Sequence, residues 1–219
     1  MTAATPLRLA ALLSGGGRTL LNLVDRIEDG TLPAEVGLVV ASRDGVAGIE
    51  RARARGLEVR VRPSGPRGDE TLTQWLVDAG VDLVCLCGYL RLVPTGAPFA
   101  GRILNIHPAL LPAFGGKGMY GLHVHRAVLA SGRAYSGCTV HFVDEQYDHG
   151  PTILQRCCPV RGDDDAQRLA DRVFVEECLA YPEAIRLVAA GRVRLAGGRV
   201  LRLPPPSLTD RATIDAKER

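Results

Sequence analysis

Between Leu7 and Cys87 the chain alternates short apolar runs with segments of helical periodicity, and no other feature restricts its fold so strongly. Residues 7–13 (LRLAALL) read as a buried strand, followed by a glycine turn at 14–17. Leu20, Leu21, Leu23, Val24 and Ile27 then fall at helical spacing, and the pattern stops near Gly30. Residues 36–41, 57–61 and 81–87 read as three further strands, separated by helices over 45–55 and 69–79. Strands and helices alternating at this pitch predict an α/β fold with a doubly wound, mostly parallel sheet. Strands apolar throughout their length fit burial on both faces.

The second half changes character. A short strand is expected at 102–106, then a long ordered loop at 108–121, rich in Pro and Gly, and a helix at 122–131. Two strands, 136–143 and 152–160, flank a polar connection. A long helix is expected over 163–190, capped by Asp163 or Asp164. Residues 192–203 suggest a β-hairpin turning at Gly197-Gly198, and the tail from Pro204 reads as loose.

Composition removes several function classes. With 219 residues, 46% hydrophobic and 23% charged, the chain can bury a core without metals or disulfides. No apolar run reaches the roughly 18 residues that a spanning helix needs. The start, MTAATPLRLA, lacks a secretory pattern, so a cytoplasmic protein with no membrane partner is expected. A net charge of +3 gives no reason to expect a nucleic-acid partner. The six cysteines (Cys85, Cys87, Cys138, Cys157, Cys158 and Cys178) form no C-x-x-C pair, and most sit in apolar runs, as free buried thiols do.

The turn Ser14-Gly15-Gly16-Gly17-Arg18-Thr19 joins a strand to a helix. Its backbone N–H groups and the helix dipole behind them suit a phosphate, to which Arg18 could add charge. A plain tight turn is the alternative. An NADP site, with Arg43 reading a 2′-phosphate, lacks its third glycine because Leu20 stands there. A Walker loop is excluded, since no GK[ST] follows.

All five histidines lie between His107 and His149, together with Asn105, Asp144, Glu145 and Asp148. Imidazoles and carboxylates together are what proton transfer near neutral pH requires. No metal is expected, because His123-x-His125 has no third ligand at a familiar spacing. His123, His125 and His141 read more readily as satisfied structural histidines than as acids or ligands. The most specific stretch is Asn105-Ile106-His107-Pro108-Ala109-Leu110-Leu111-Pro112. A strand ending there presents Asn105 and His107 on one side. An amide donor beside an imidazole can hold an oxyanion and move a proton. Asp148, before Gly150-Pro151, is the natural carboxylate to complete the set.

In this order, LLSGGGRTL, ASRDGVAGIERARARG, DLVCLCGYLRLV, GRILNIHPALLP, LHVHRAVLASG, GCTVHFVDEQYDHGPTILQ and RVFVEECLAYP resemble the folate-dependent formyltransferases over nearly the whole chain. The resemblance is strongest to those that formylate phosphoribosylglycinamide. It implies a sheet of the formyltransferase type with a long C-terminal helix and β-hairpin. It also implies a single domain over 1–219, with a phosphate-binding half (1–100), a catalytic and folate-binding half (101–203) and a tail (204–219). The implied activity is formyl transfer from 10-formyltetrahydrofolate, a co-substrate, to the amine of 5-phosphoribosylglycinamide, by a monomer or homodimer acting on small molecules.

Residue by residue, the resemblance gives Asn105, His107 and Asp148 the catalytic roles, Asn105 also facing the folate. It gives Gly16, Gly17, Arg18 and Thr19 the acceptor's phosphate, and places Glu177 near its glycinamide. Leu90, Arg91, Leu92 and Val93 become the folate-contacting segment, and the loop from Asp144 to Asp148 one wall of the pterin pocket. Arg67 aligns, across a gap, with a folate-side arginine. Two departures stand out. Arg18-Thr19 replace the Ser-Asn that ends the family's usual G-x-G-S-N loop, and residues 114–121 are longer than the common form. A formyltransferase for another small amine, such as an amino sugar nucleotide, is the alternative. Methionyl-tRNA formyltransferase is expected to carry an added C-terminal domain, and formyltetrahydrofolate hydrolase an added N-terminal one.

Overall fold

The structure, a computed structural model, describes residues 6–65 and 67–204. Residues 1–5 and, from the tail expected to be loose, residues 205–219 lie outside the described residues. The elements run β1 (Leu7–Leu13), α1 (Arg18–Glu28), β2 (Ala34–Ala41), α2 (Ala47–Ala54), β3 (Val59–Val61), α3 (Gly68–Asp78) and β4 (Leu83–Leu86). They continue with β5 (Ile103–His107), α4 (Leu122–Ala130), β6 (Tyr135–Phe142), β7 (Thr152–Pro159), α5 (Ala166–Ala189), β8 (Val193–Ala196) and β9 (Arg199–Arg202).

Seven strands form one sheet in the order β3-β2-β1-β4-β5-β6-β7. β1 to β5 pair in parallel, and β6 and β7 are added antiparallel. The apolar runs explain why the parallel part is covered on both sides. Leu9, Ala11 and Leu13 of β1 join Val39 and Ala41 of β2 under α1, α2, α4 and α5. The intervening Ala10, Leu12, Leu38 and Val40 pack against Leu72 and Leu76 of α3. Alternation along the strand thus feeds two cores instead of one core and solvent.

Strand order reverses between β1 and β4: the chain moves outward to β2 and β3 on one side, and to β5 on the other. Loops leaving the carboxyl ends of β1 and β4 therefore part and open a crevice, the usual ligand position in such sheets. Ser14 N–H donates to Gly88 O at 3.0 Å, and Leu90 N–H to Ser14 Oγ at 2.9 Å, which pins the two loops at the root of the crevice. Behind it, the buried Tyr181 of α5 sets its hydroxyl within 3.1 Å of Leu86 O and 3.0 Å of Leu104 O, anchoring the helix to the ends of both strands.

The cap of α5 differs from expectation. Asp165, in extended conformation, accepts from Arg168 N–H at 2.7 Å and caps the helix. Asp164 is instead committed to Arg172, at 2.6 and 2.8 Å, and to Arg161 N–H, while Asp163 contacts Arg168. The β8–β9 hairpin turns at Gly197 and Gly198, whose φ values of 57° and 71° suit the left-handed turn that favours glycine. Among the described residues no helix is long and apolar enough to cross a membrane.

Candidate active site

The crevice deepens into a cavity of about 590 Å³. β5 brings it its central groups. Leu104 and Ile106 turn into the core under α5, so Asn105 and His107 point the opposite way and both line the cavity. The β5–β6 register places His141 directly opposite Asn105. Asp148 arrives from the β6–β7 loop in a left-handed conformation (φ 53°), which Asp tolerates better than most residues. The loop returns through Gly150, where a Cβ would lie 1.9 Å from Phe142 O, so only glycine fits.

These groups form one network. Asp148 Oδ1 lies 3.3 Å from His107 Nδ1, accepts from Asn105 Nδ2 at 3.3 Å and is 3.9 Å from His141 Nε2. Its Oδ2 accepts from Gly116 N–H at 2.9 Å. Burial opposes ionisation of Asp148, but His107, the Gly116 N–H and His141 outweigh it and hold the carboxyl below its ordinary range. His107 Nε2–H donates to Phe114 O at 2.8 Å, which leaves Nδ1 as the nitrogen facing Asp148. A proton on Nδ1 as well turns that contact into a charge-assisted one.

His141 has a different state. Its Nδ1–H donates to Phe142 O at 2.8 Å, so Nε2 is an acceptor and takes a hydrogen from Asn105 Nδ2 at 3.1 Å. Burial lowers its pKa, which keeps it neutral and able to accept. The Asn105 amide orientation is thereby fixed from two sides, by a neutral imidazole and a carboxylate, both of which need a donor. His141 was expected to be structural, yet it lines the cavity. Its partnership with Asn105 depends on strand register, which no local motif announces. The Phe114 carbonyl and Gly116 amide are backbone groups that side-chain reading passes over.

The glycine turn lies at one end of the cavity, where Ser14, Gly15, Thr19 and Glu177 form the lining. Gly17 (φ 75°) begins α1 without a side-chain cap. A Cβ there would approach Gly48 Cα to 3.2 Å, and left-handed φ is strained for L side chains in any case. Gly48 N–H donates to Gly15 O at 3.0 Å and Arg51 to Gly16 O at 2.8 Å, so α2 braces the turn. Gly16, Gly17 and Arg18 are not part of the lining: the first two form the backbone behind it, and Arg18 turns towards α5. Burial raises the Glu177 carboxyl to about 7, partly offset by the charge of Arg18.

At the other end Leu90, Arg91, Leu92 and Val93 line the cavity together with Val143, Gln146 and Tyr147. Arg91 donates to Ser42 O at 3.2 Å, and Tyr147 hydroxyl to Leu90 O at 3.4 Å, joining the two walls. Two expected folate-side residues stand apart. Asp144 is taken up by His149 Nδ1 at 2.7 Å and Gln146 N–H at 2.9 Å. Arg67 is exposed at the start of α3, away from the lining. Lys117, Met119 and Tyr120 of the long loop do border the cavity. His125 is buried with Nδ1 unpartnered, and burial, followed by the nearby charge of His107, pushes it down to about 4. Among the described residues no group of three or more His, Cys, Asp or Glu side chains is arranged to hold a metal.

The sequence profile of the formyl transferase family matches residues 7–185. A chloroplastic phosphoribosylglycinamide formyltransferase of Arabidopsis thaliana is 43% identical over 195 residues, covering 85% of this chain and 67% of that protein. The trifunctional purine biosynthetic protein adenosine-3 of Drosophila pseudoobscura pseudoobscura is 40% identical over 196 residues. That match covers 85% of this chain but only 14% of the longer protein. The crystal structure of glycinamide ribonucleotide transformylase 1 from Symbiobacterium toebii aligns with a TM-score of 0.82 at 41% identity, covering 92% of this chain and 96% of that one.

Proposed function

The chain belongs to the formyl transferase family, and we propose that it is the enzyme that moves a formyl group from 10-formyltetrahydrofolate to the primary amine of 5-phosphoribosylglycinamide in purine biosynthesis. One observation carries the reading: Asn105, His107 and Asp148 meet on the wall of a cavity that runs from the glycine turn to Leu90–Val93. Two substrates entering from opposite ends would bring their reacting atoms together at that wall.

The acceptor's phosphate takes the N-terminal end of α1, where uncapped N–H groups and the helix dipole favour an anion. Its amine lies near Glu177. The folate lies against Leu90, Arg91, Leu92, Val93 and the loop ending at Asp148. The amine lone pair attacks the formyl carbon; a C–N bond forms and the carbonyl electrons move to oxygen. His107 Nδ1–H supports the oxyanion. So does the Asn105 N–H directed at Asp148, whose Nδ2 to Oδ1 distance of 3.3 Å makes it the longer and more easily exchanged of the two amide contacts. The attacking nitrogen loses a proton to the Asp148–His107 pair, which returns it to the folate nitrogen as the bond from that nitrogen to the formyl carbon breaks. The products are the N-formyl amide and tetrahydrofolate. His141 holds Asn105 in the orientation this requires, and holding both reactants in line supplies much of the rate.

A panel of amines offered with 10-formyltetrahydrofolate, followed by the absorbance of the folate product, tests the assignment. Phosphoribosylglycinamide is expected to be consumed with the highest kcat/KM. Preference for an amino sugar nucleotide would transfer the same chemistry to a different acceptor.

A further inference from the structure

Helix α5 presents Asp171, Phe174 and Glu177 at steps of three residues, which places them on one stripe. Glu177 lies at its inner end, on the cavity wall beside the glycine turn. Arg18, the first residue of α1, lies across the stripe. Its guanidinium carbon is 3.9 Å from the centroid of the Phe174 ring. Both terminal nitrogens reach Asp171 Oδ1 only at 3.5 Å. Asp171 also receives a hydrogen bond from Gln167, at 3.2 Å, so it does not depend on Arg18.

We propose that Phe174 is a positioning residue for Arg18, holding the guanidinium at the rim of the glycine turn so that it closes on a phosphate monoester bound there. The inference rests on the reading of that turn as the acceptor's phosphate site. An aromatic face fixes the plane of a guanidinium without consuming any of its N–H donors. The ion pair with Asp171 is exposed and long, so an arriving dianion displaces it at little cost. A planar donor fork already oriented loses less rotamer freedom on binding than a free one.

Calorimetric titration of the full chain with ribose 5-phosphate tests this. Phe174→Leu keeps an apolar side chain but removes the ring face, and should weaken binding about three- to tenfold. Arg18→Ala should weaken it about tenfold or more. Adding Phe174→Leu to Arg18→Ala should cause no further loss, and Phe174→Tyr should restore near-normal affinity. In formyl transfer, Phe174→Leu should raise the acceptor KM and leave kcat and the folate KM unchanged. Equal weakening by Phe174→Leu in both backgrounds, or none in either, overturns the proposal. A protein that binds ribose 5-phosphate as described but formylates a different phosphorylated amine would overturn the acceptor assignment alone. No binding by the unmodified protein would overturn the phosphate site and this inference with it.

Discussion

The glycine turn and the wall around Asn105 and His107 face the same cavity but are built in opposite ways. The turn consists of six consecutive residues, Ser14 to Thr19, and its contacts to Gly48, Arg51 and Gly88 involve backbone atoms of the turn. The wall draws Asn105 and His107 from β5, His141 from β6, Asp148 from the following loop and a carbonyl from Phe114. A backbone site fails when a side chain is added where none fits. A side-chain network fails when any member is removed, because the partner left behind is buried and unsatisfied. Substitutions in the two regions should therefore damage different kinetic constants.

The largest effect is expected at the wall. His107→Ala should lower kcat by about 10²–10⁴, the usual range for a positioned acid or base. Ribose 5-phosphate affinity should change little, and near-normal turnover would remove His107 from the chemistry. Gly17→Val probes the other region: it should raise the acceptor KM about tenfold or more through backbone strain and crowding at Gly48, while largely sparing the folate KM. Equal increases for both substrates would indicate a general loss of structure, and an effect on folate alone would reverse the two ends of the cavity.

His141→Phe sharpens the comparison within the wall. The ring volume stays, but Asn105 loses the acceptor that orients its amide. An approximately tenfold fall in kcat is expected, with KM unchanged, in keeping with about 1–2 kcal/mol for a buried hydrogen bond. A parallel loss of thermal stability and of both KM values would instead make His141 structural.

The smallest effect concerns Glu177. Its carboxyl is raised from an ordinary 4.5 to about 7, so the folded chain disfavours the ionised form. The stability associated with the protonated group is full below about pH 4.5 and is lost as pH rises through about 7. Glu177→Gln escapes that loss. Its Tm should match the parent at pH 4.5 and exceed it by several degrees at pH 8. A Tm difference independent of pH would contradict the origin assigned to the shift.

Legibility in the sequence follows the same division. Leu9, Ala11 and Leu13 face one core and Ala10 and Leu12 the other, and a continuous apolar run was sufficient to infer a strand buried on both faces. The glycine turn was legible because all its residues are adjacent. Asn105 and His107 were legible because two residues apart on a strand means one face. His141 was not, because its role comes from pairing with a residue 36 positions away, and period-2 alternation carries no register. Asp165 was missed in favour of its two acidic neighbours because three consecutive aspartates offer the same cap chemistry. Only the packing of Arg172 against Asp164 separates them. Asp144 shares the polar loop with Asp148, but His149 turns its carboxylate away, a local pairing that composition does not rank.

Carbon-13 labelling tests the central claim most directly. The protein is incubated with 10-[13C]formyltetrahydrofolate and phosphoribosylglycinamide, and the label is followed by NMR. If Asn105, His107 and Asp148 form a transfer site between two bound substrates, the label leaves the folate and appears as an N-formyl amide on the glycinamide, at a rate that His107→Ala lowers by about 10²–10⁴. Release of the label as formate, independent of the amine, would contradict that account: the wall would then deliver the formyl group to water.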